Sequence, residues 1–273
     1  MSDWTEAELR ARIDRTGART RYPGGSPDPL EVAQYENMLP EGSEIGIVLG
    51  MTPELRNLAA RNCKTLASID SRAAAIELYR DWLGPEYVTL EQIHQTDWFS
   101  LSTVCGTGAG FILGDGVFGN VLPLAEYGSL LCVIRDALLP TGRFITRQCL
   151  VPEDALPRRD ALIAEFRSGA IDAAGFGLGL RMHGYLDSAY DPASSSLDNS
   201  EVFRRIESDY ASGGLSQQEH AIVHRYYFGG RNSLPTQKAW ETILQEAGFA
   251  FERASLEGKN WYSWYPIYCC TPT

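Results

Sequence analysis

Polar side chains stand repeatedly where short apolar runs of this chain end. Asp70 follows Thr65-Leu-Ala-Ser-Ile69 and lies twenty residues beyond Gly50, which closes the run Ile45–Leu49. A carboxylate in that place is suited to accept hydrogen bonds from ribose hydroxyls, and a glycine there lets a ligand approach bare backbone. Between them, Thr52 suits a helix N-cap, Pro53 the first helical position, and Glu54 the positive helix end. Strand, glycine turn, helix, strand and acid make a mononucleotide-binding half. Asp97-Trp98 follows a third run, and Gly114-Asp-Gly-Val-Phe-Gly-Asn120 a fourth. These add two carboxylates, an indole, a phenyl ring and an amide at the same end of the strands.

Histidine is scarce, with four in the chain. His220 and His224 have the i, i+4 spacing that can hold a metal, beside Glu219. No third ligand follows with a convincing spacing, so no metal is expected and a charge-bearing helix face is the better reading. His183, near the glycine-rich stretch Gly175–Gly179, is a candidate general base.

The elements that must hold these groups alternate. Strands are expected at Ile45–Leu49, Thr65–Ile69, Tyr87–Ile93, Gly110–Leu113 and Arg143–Leu150. Helices are expected at Pro53–Asn62, Ser71–Leu83 and Leu124–Leu139. Repeated strand–helix units imply a mostly parallel sheet with helices on both faces. The chain divides into four regions: residues 1–43, a helical N-terminal segment able to act as a lid; 44–152, the nucleotide-binding core; 153–233, a mainly helical insertion or cap; and 234–273, a final helix and a strand hairpin. The insertion carries expected helices at Ala155–Arg167, Ser200–Ala211 and Ser216–Tyr227. The hairpin is expected at Phe249–Ala254 and the aromatic-rich Trp261–Cys269. Arg147 and Gln148 both leave the fifth strand towards the mouth, and strand alternation turns one of them away.

With 44% hydrophobic and 22% charged residues the chain is an ordinary globular one. Its net charge of -11 argues against a nucleic-acid backbone or an anionic membrane as main partner. No apolar run reaches about 18 residues, and the first residues lack the basic and apolar regions of a signal peptide, so a cytoplasmic protein is expected. The six cysteines show no C-x-x-C spacing and read as reduced thiols.

Together these segments resemble the class I S-adenosylmethionine (SAM) dependent methyltransferases, a Rossmann-like α/β fold with a mostly parallel sheet and a C-terminal antiparallel hairpin. The resemblance rests on Ile45–Gly50 as first motif, Asp70 after strand two, Asp97-Trp98 after strand three and the loop from Gly114 after strand four. Leu138-Leu-Pro-Thr-Gly-Arg-Phe144 resembles the family's turn into strand five, and Pro266 with its aromatic neighbours its terminal hairpin. It covers residues 44–150 well, 234–270 loosely, and the insertion not at all. It implies SAM as co-substrate, held by Gly50, Met51, Thr52, Glu54, Asp70, Ser71, Asp97 and Trp98. It sets Asp70 on the ribose, Asp97 and Trp98 at the adenine, and Glu54 at the ammonium group. Asp115, Phe118 and Asn120 then stand at the reacting end, with His183 above. An aromatic face such as that of Phe118 favours a sulfonium cation. For each there is a plainer role: helix or loop cap for Asp70, Thr52 and Asp97, core packing for Trp98 and Phe118.

One motif departs from the pattern. Where glycines usually recur, this chain reads Gly50-Met51-Thr52. A pyrophosphate needs bare backbone there, whereas the methionine arm of SAM carries no phosphate. The variant loop therefore favours SAM over NAD or FAD. The resemblance implies methyl transfer to a small molecule, and the Asn/Asp-Pro-Pro-Tyr/Phe motif of nucleic-acid methyltransferases is absent at 115–120. The alternative is cyclisation of SAM to azetidine-2-carboxylate with release of methylthioadenosine, which some bacterial proteins of this fold carry out. A SAM-binding module without turnover, or an NAD-dependent oxidoreductase, stands further off.

Overall fold

The computed structural model describes residues 24–227 and 229–273. The segment expected as a lid thus lies outside the described residues up to residue 23. Its remainder holds helix α1, Pro29–Asn37. Asp28 caps that helix in a reciprocal box with Glu31.

The core then alternates as expected. Strand β1 is Ser43–Leu49, helix α2 Pro53–Asn62, β2 Cys63–Ile69, α3 Ala73–Tyr79 and β3 Glu91–His94. Helix α4 is Leu101–Cys105, β4 Ala109–Asp115, α5 Glu126–Ala137 and β5 Leu138–Arg147. Helices α6 (Arg159–Arg167), α7 (Ala173–His183) and α8 (Leu186–Ala189) come next, then the short strands β6 (Tyr190–Asp191) and β7 (Ser196–Asp198). Helices α9 (Asn199–Ala211) and α10 (Gln217–His224) precede β8 (Arg231–Ser233), and α11 (Gln237–Glu246), β9 (Phe249–Arg253) and β10 (Ile267–Pro272) close the chain.

Seven strands form one sheet in the order β3-β2-β1-β4-β5-β10-β9. The first five are parallel, and β10 runs antiparallel to both its neighbours. This is the Rossmann-like α/β fold expected of the chain, with the reversed strand β10 inserted between β5 and the edge strand β9. Strand order reverses direction at β1, so a crevice opens beyond the ends of β1 and β4. Residue alternation splits the core in two. Ile47 and Leu49 pack on the α5/α11 side, while Val48 packs with Tyr35, Leu55 and Leu58 on the α1/α2 side. Cys269 and Cys270 fall in opposite layers for the same reason.

Several boundaries move. The third strand begins at Glu91 rather than Tyr87, because Pro85–Tyr87 form a tight helical turn. The fifth begins at Leu138 and ends at Arg147, running through Pro140 and Gly142 with a register shift opposite Ala109. The aromatic segment expected as one strand from Trp261 is a helical turn over Asn260–Ser263 before β10. Trp261, Tyr262 and Trp264 pack there against the helices after β5, in a third core of their own.

The glycine-rich stretch, which lies outside the expected helices, is part of α7. A Cβ at Gly177 would come within 2.5 Å of the Tyr226 ring, and one at Gly179 within 2.7 Å of Trp264. Helix propensity is lost at those positions, and close approach of two aromatic rings is gained in return. Among the described residues no helix is long and apolar enough to cross a membrane.

Candidate functional site

A cavity of about 500 Å³ occupies the crevice at the strand ends. Its wall follows the strand order: Asp97 and Trp98 after β3, Asp70 and Ser71 after β2, Gly50, Met51 and Thr52 after β1, Asp115 and Asn120 after β4. Beyond β5 come Arg147, Cys149 and Tyr265, then Arg181 from α7 and Asn232 from β8.

Gly50 has a φ of 93°, in the region that favours glycine, and its N–H donates to the Ile69 carbonyl at 2.7 Å. That bond ties the first turn to the strand that carries Asp70. Asp70 accepts from the Arg72 N–H at 2.9 Å, so it shapes the turn before α3 as well as facing the cavity. Burial raises its pKa, against the Arg72 N–H and charge, which lower it. Thr52 holds the N-cap position of α2 but makes no side-chain cap bond. It borders the cavity instead. Asp97 caps the turn after β3 by accepting from the Phe99 N–H at 2.8 Å. The Trp98 indole N–H donates to the Ile69 carbonyl at 2.9 Å, which fixes its ring as a wall of the cavity.

Three sequence-derived candidates stand elsewhere. Phe118 is fully buried on the far layer of the sheet, with ring centroids 4.8 Å from Tyr127 and 4.9 Å from Trp240. The tight turn Val117–Asn120 aims Phe118 into the core and leaves Gly116, Val117, Gly119 and Asn120 at the cavity. His183 is also fully buried. Its Nε2 lies 3.0 Å from the Leu150 carbonyl, its ring meets Trp264 edge-on, and burial pulls its pKa down to about 4. It borders a separate hollow with Trp264 and Glu241. Neither residue borders the cavity. Glu54, in the first turn of α2, is also absent from the cavity wall.

Residues that nothing in the motifs singles out complete the wall. Arg181 is two positions before His183, so it leaves the same helix on nearly the opposite side. Its guanidinium donates to Asn199 at 3.1 Å and Asn232 at 2.8 Å. Asn232 in turn donates to the Gly119 carbonyl at 2.9 Å. Tyr265 lies with its ring centroid 5.1 Å from the Arg147 guanidinium.

Arg147 faces the cavity and Gln148 turns into the core, as strand alternation requires. Arg147 donates to Asp115 through Nε at 2.8 Å and pairs with Glu31 of α1 at 2.8 Å. Burial works against its charge, but Asp115 and then Glu31 outweigh it and push its pKa well up. Glu31 itself is raised by burial, which outweighs the lowering by Arg147. The Tyr35 hydroxyl donates to the Gly114 carbonyl at 2.7 Å and accepts from the Arg147 N–H at 2.7 Å, bridging the ends of β4 and β5.

Known proteins share this architecture at low sequence identity. The chain is similar to the CcbJ methyltransferase from Streptomyces caelestis, with a TM-score of 0.59 at 13% identity, covering 99% of this chain and 100% of that one. It is similar to a SAM-dependent methyltransferase from Methanosarcina mazei, with a TM-score of 0.52 at 13% identity over 91% and 98% of the two chains. A possible exported protein from Bordetella parapertussis also matches, with a TM-score of 0.52 at 16% identity over 98% and 79%. At such identities the likeness is one of fold. No family model and no curated protein matches the sequence.

Proposed function

We propose that the chain binds SAM in this cavity and transfers its methyl group to a small molecule. The observation that carries the reading is the pairing of Gly50 and Asp70. A positive-φ glycine and a half-buried carboxyl, tied by the Gly50–Ile69 bond, stand side by side at the ends of β1 and β2. Two similar folds are described as methyltransferases, one of them as SAM-dependent.

The residues present fit SAM. A carboxylate offers about four acceptor sites, so the Arg72 bond leaves Asp70 capacity for ribose hydroxyls. Trp98 supplies a fixed flat wall for a purine. Pro53 at the first helical position removes an N–H from the helix end, which weakens any pyrophosphate seat there. The volume lies within the range of small-molecule sites. Bound SAM supplies an activated methyl group. The chain's own task is to hold an acceptor in line with it and to keep water out.

That acceptor would meet Arg181, Asn232, Cys149 and Tyr265. Arg181 and Asn232, fixed to each other at 2.8 Å, suit a small polar molecule with an anionic or carbonyl group. Cyclisation of SAM on itself gives such a wall no work, and we therefore put methyl transfer first.

Asp70→Asn tests the SAM reading. It keeps the bond from Arg72 and removes the charge, which costs about 1.4 kcal/mol in hydrogen bonds to ribose, or about tenfold in affinity. Calorimetric titration should show that loss with the thermal midpoint held. An unchanged dissociation constant refutes the assignment. Incubation with SAM alone, followed by mass spectrometry, separates the chemistries, because methylthioadenosine without any acceptor turns the reading to cyclisation.

A further inference from the structure

Helices α9 and α10 pack against each other and are joined over residues 212–216. Glu207 lies on α9, and His220 and His224 share one face of α10. The Glu207 Oε1 is 2.8 Å from His220 Nε2 and 3.7 Å from His224 Nε2. One ligand atom from each residue lies within 4.8 Å of the other two. Glu219, next to His220 in sequence, turns the other way: it pairs with Arg167 at 2.7 Å and accepts from the Ser216 N–H. The third member of the cluster comes from the facing helix, which no spacing within α10 can reveal.

Both imidazoles are held in place by aromatic neighbours. His220 stacks on Tyr210 with centroids 4.2 Å apart at 19°. His224 lies parallel to Tyr227 at 6.0 Å and meets Phe203 edge-on at 6.2 Å. Among the described residues, the ion-pair partners of Glu207 are these two histidines.

We propose that Glu207, His220 and His224 bind a divalent transition metal ion of the zinc type, which clips α9 to α10. Two imidazoles and a carboxylate suit Zn²⁺, at about 2.0–2.2 Å from each donor. Tetrahedral ligation at that range needs donor atoms about 3.3 Å apart. The two separations of 2.8 and 3.7 Å bracket that value, and the third is under 4.8 Å, so side-chain rotation is what has to bring the three donors to ligating distance. The ion takes the place of the His220–Glu207 hydrogen bond, and a water fills the fourth position. Side-chain exposures of 52% for Glu207 and 46% for His224 leave the ion an open path from solvent. The site shares no residue with the cavity and stands independently of the function proposed above.

The test uses the full chain freed of metal with a chelator. Zn²⁺ is titrated by calorimetry and in competition with a chromophoric chelator. One equivalent is expected to bind with a micromolar dissociation constant, raising the thermal midpoint. Affinity should fall at least tenfold in His224→Ala and in Glu207→Gln, both exposed positions, with unchanged circular dichroism. Absence of stoichiometric binding overturns the proposal. So does binding that survives the double substitution His220→Ala with His224→Ala, whose helicity the same spectra check.

Discussion

Tyr35→Phe removes a single oxygen and no other heavy atom of the side chain. That oxygen sits between two parallel strands where their ladder ends, and serves the Gly114 carbonyl and the Arg147 N–H at 2.7 Å each. The tyrosine is fully buried, so no solvent replaces it. Each backbone group left without a partner in such a place costs about 1–3 kcal/mol. The expected destabilisation is therefore about 2–6 kcal/mol, and about 3 kcal/mol corresponds to a fall of roughly 6–12 °C in thermal midpoint for a chain of this size. Burial, and after it the charge of Asp115, push the Tyr35 pKa well above the ordinary tyrosine value. The hydroxyl is thus neutral throughout pH 6–9, and the loss should be constant over that range. Urea unfolding of wild type and variant at pH 6, 7.5 and 9 measures it. Glu36→Ala, on the exposed side of the same helix, serves as control and should shift stability by less than about 0.5 kcal/mol. A Tyr35→Phe loss as small as the control's refutes the view that this hydroxyl joins α1 to the strand ends.

Two further outcomes are expected from the backbone and from burial. With its pKa near 4 against about 6.5 when unfolded, His183 binds fewer protons in the folded state, so its contribution is complete above pH 6.5 and is lost as pH falls towards 4. The loss amounts to roughly 3 kcal/mol, and His183→Gln should flatten the acid limb of stability against pH by that amount; an identical limb in both proteins refutes it. Gly50→Ala places a side chain at a φ of 93° with nothing within 4 Å of the new Cβ, so backbone strain alone acts, at about 1–3 kcal/mol in urea unfolding. No change in midpoint would show that the turn relaxes freely.

The parallel core was legible because its signals are local. Strands β1, β2, β4 and β5 each carry an apolar run, and Gly50, Pro53 and Asp70 punctuate the first two at fixed offsets. What failed depends on partners distant in sequence. Gly177 and Gly179 fall outside the expected helices, and the approach of Tyr226 and Trp264 that suits them to α7 comes from far along the chain. The aromatic run from Trp261 has strand composition, yet its first half serves the core formed with α7 and α10. His183 drew attention by residue type, while the helix turns Arg181 to the cavity. Phe118 and Asn120 are two residues apart in one tight turn, and only three-dimensional packing decides which of them meets the cavity.

Arg147 is where those distant partners converge. Its guanidinium joins Asp115 at the end of β4, Glu31 of α1 and, through its face, the ring of Tyr265 before β10. Tyr262 reinforces the same closure by donating to Asp28, the cap of α1, at 2.6 Å. Desolvating such a group is costly, and an apolar cluster of equal volume would hold the fold about as well. The arrangement is better explained by what it positions. One guanidinium is set between two carboxylates, Asp115 at the cavity and Glu31 buried away from its lining, and it ties α1 to the ends of β4 and β5. Arg181 stands across the same cavity, and the asparagines that hold it are neutral. On the function proposed above, the Asp115 carboxylate would face a cationic donor and the Arg181 guanidinium an anionic or carbonyl-bearing acceptor. On that same reading, this division of charge is what would let a donor and an acceptor lie side by side.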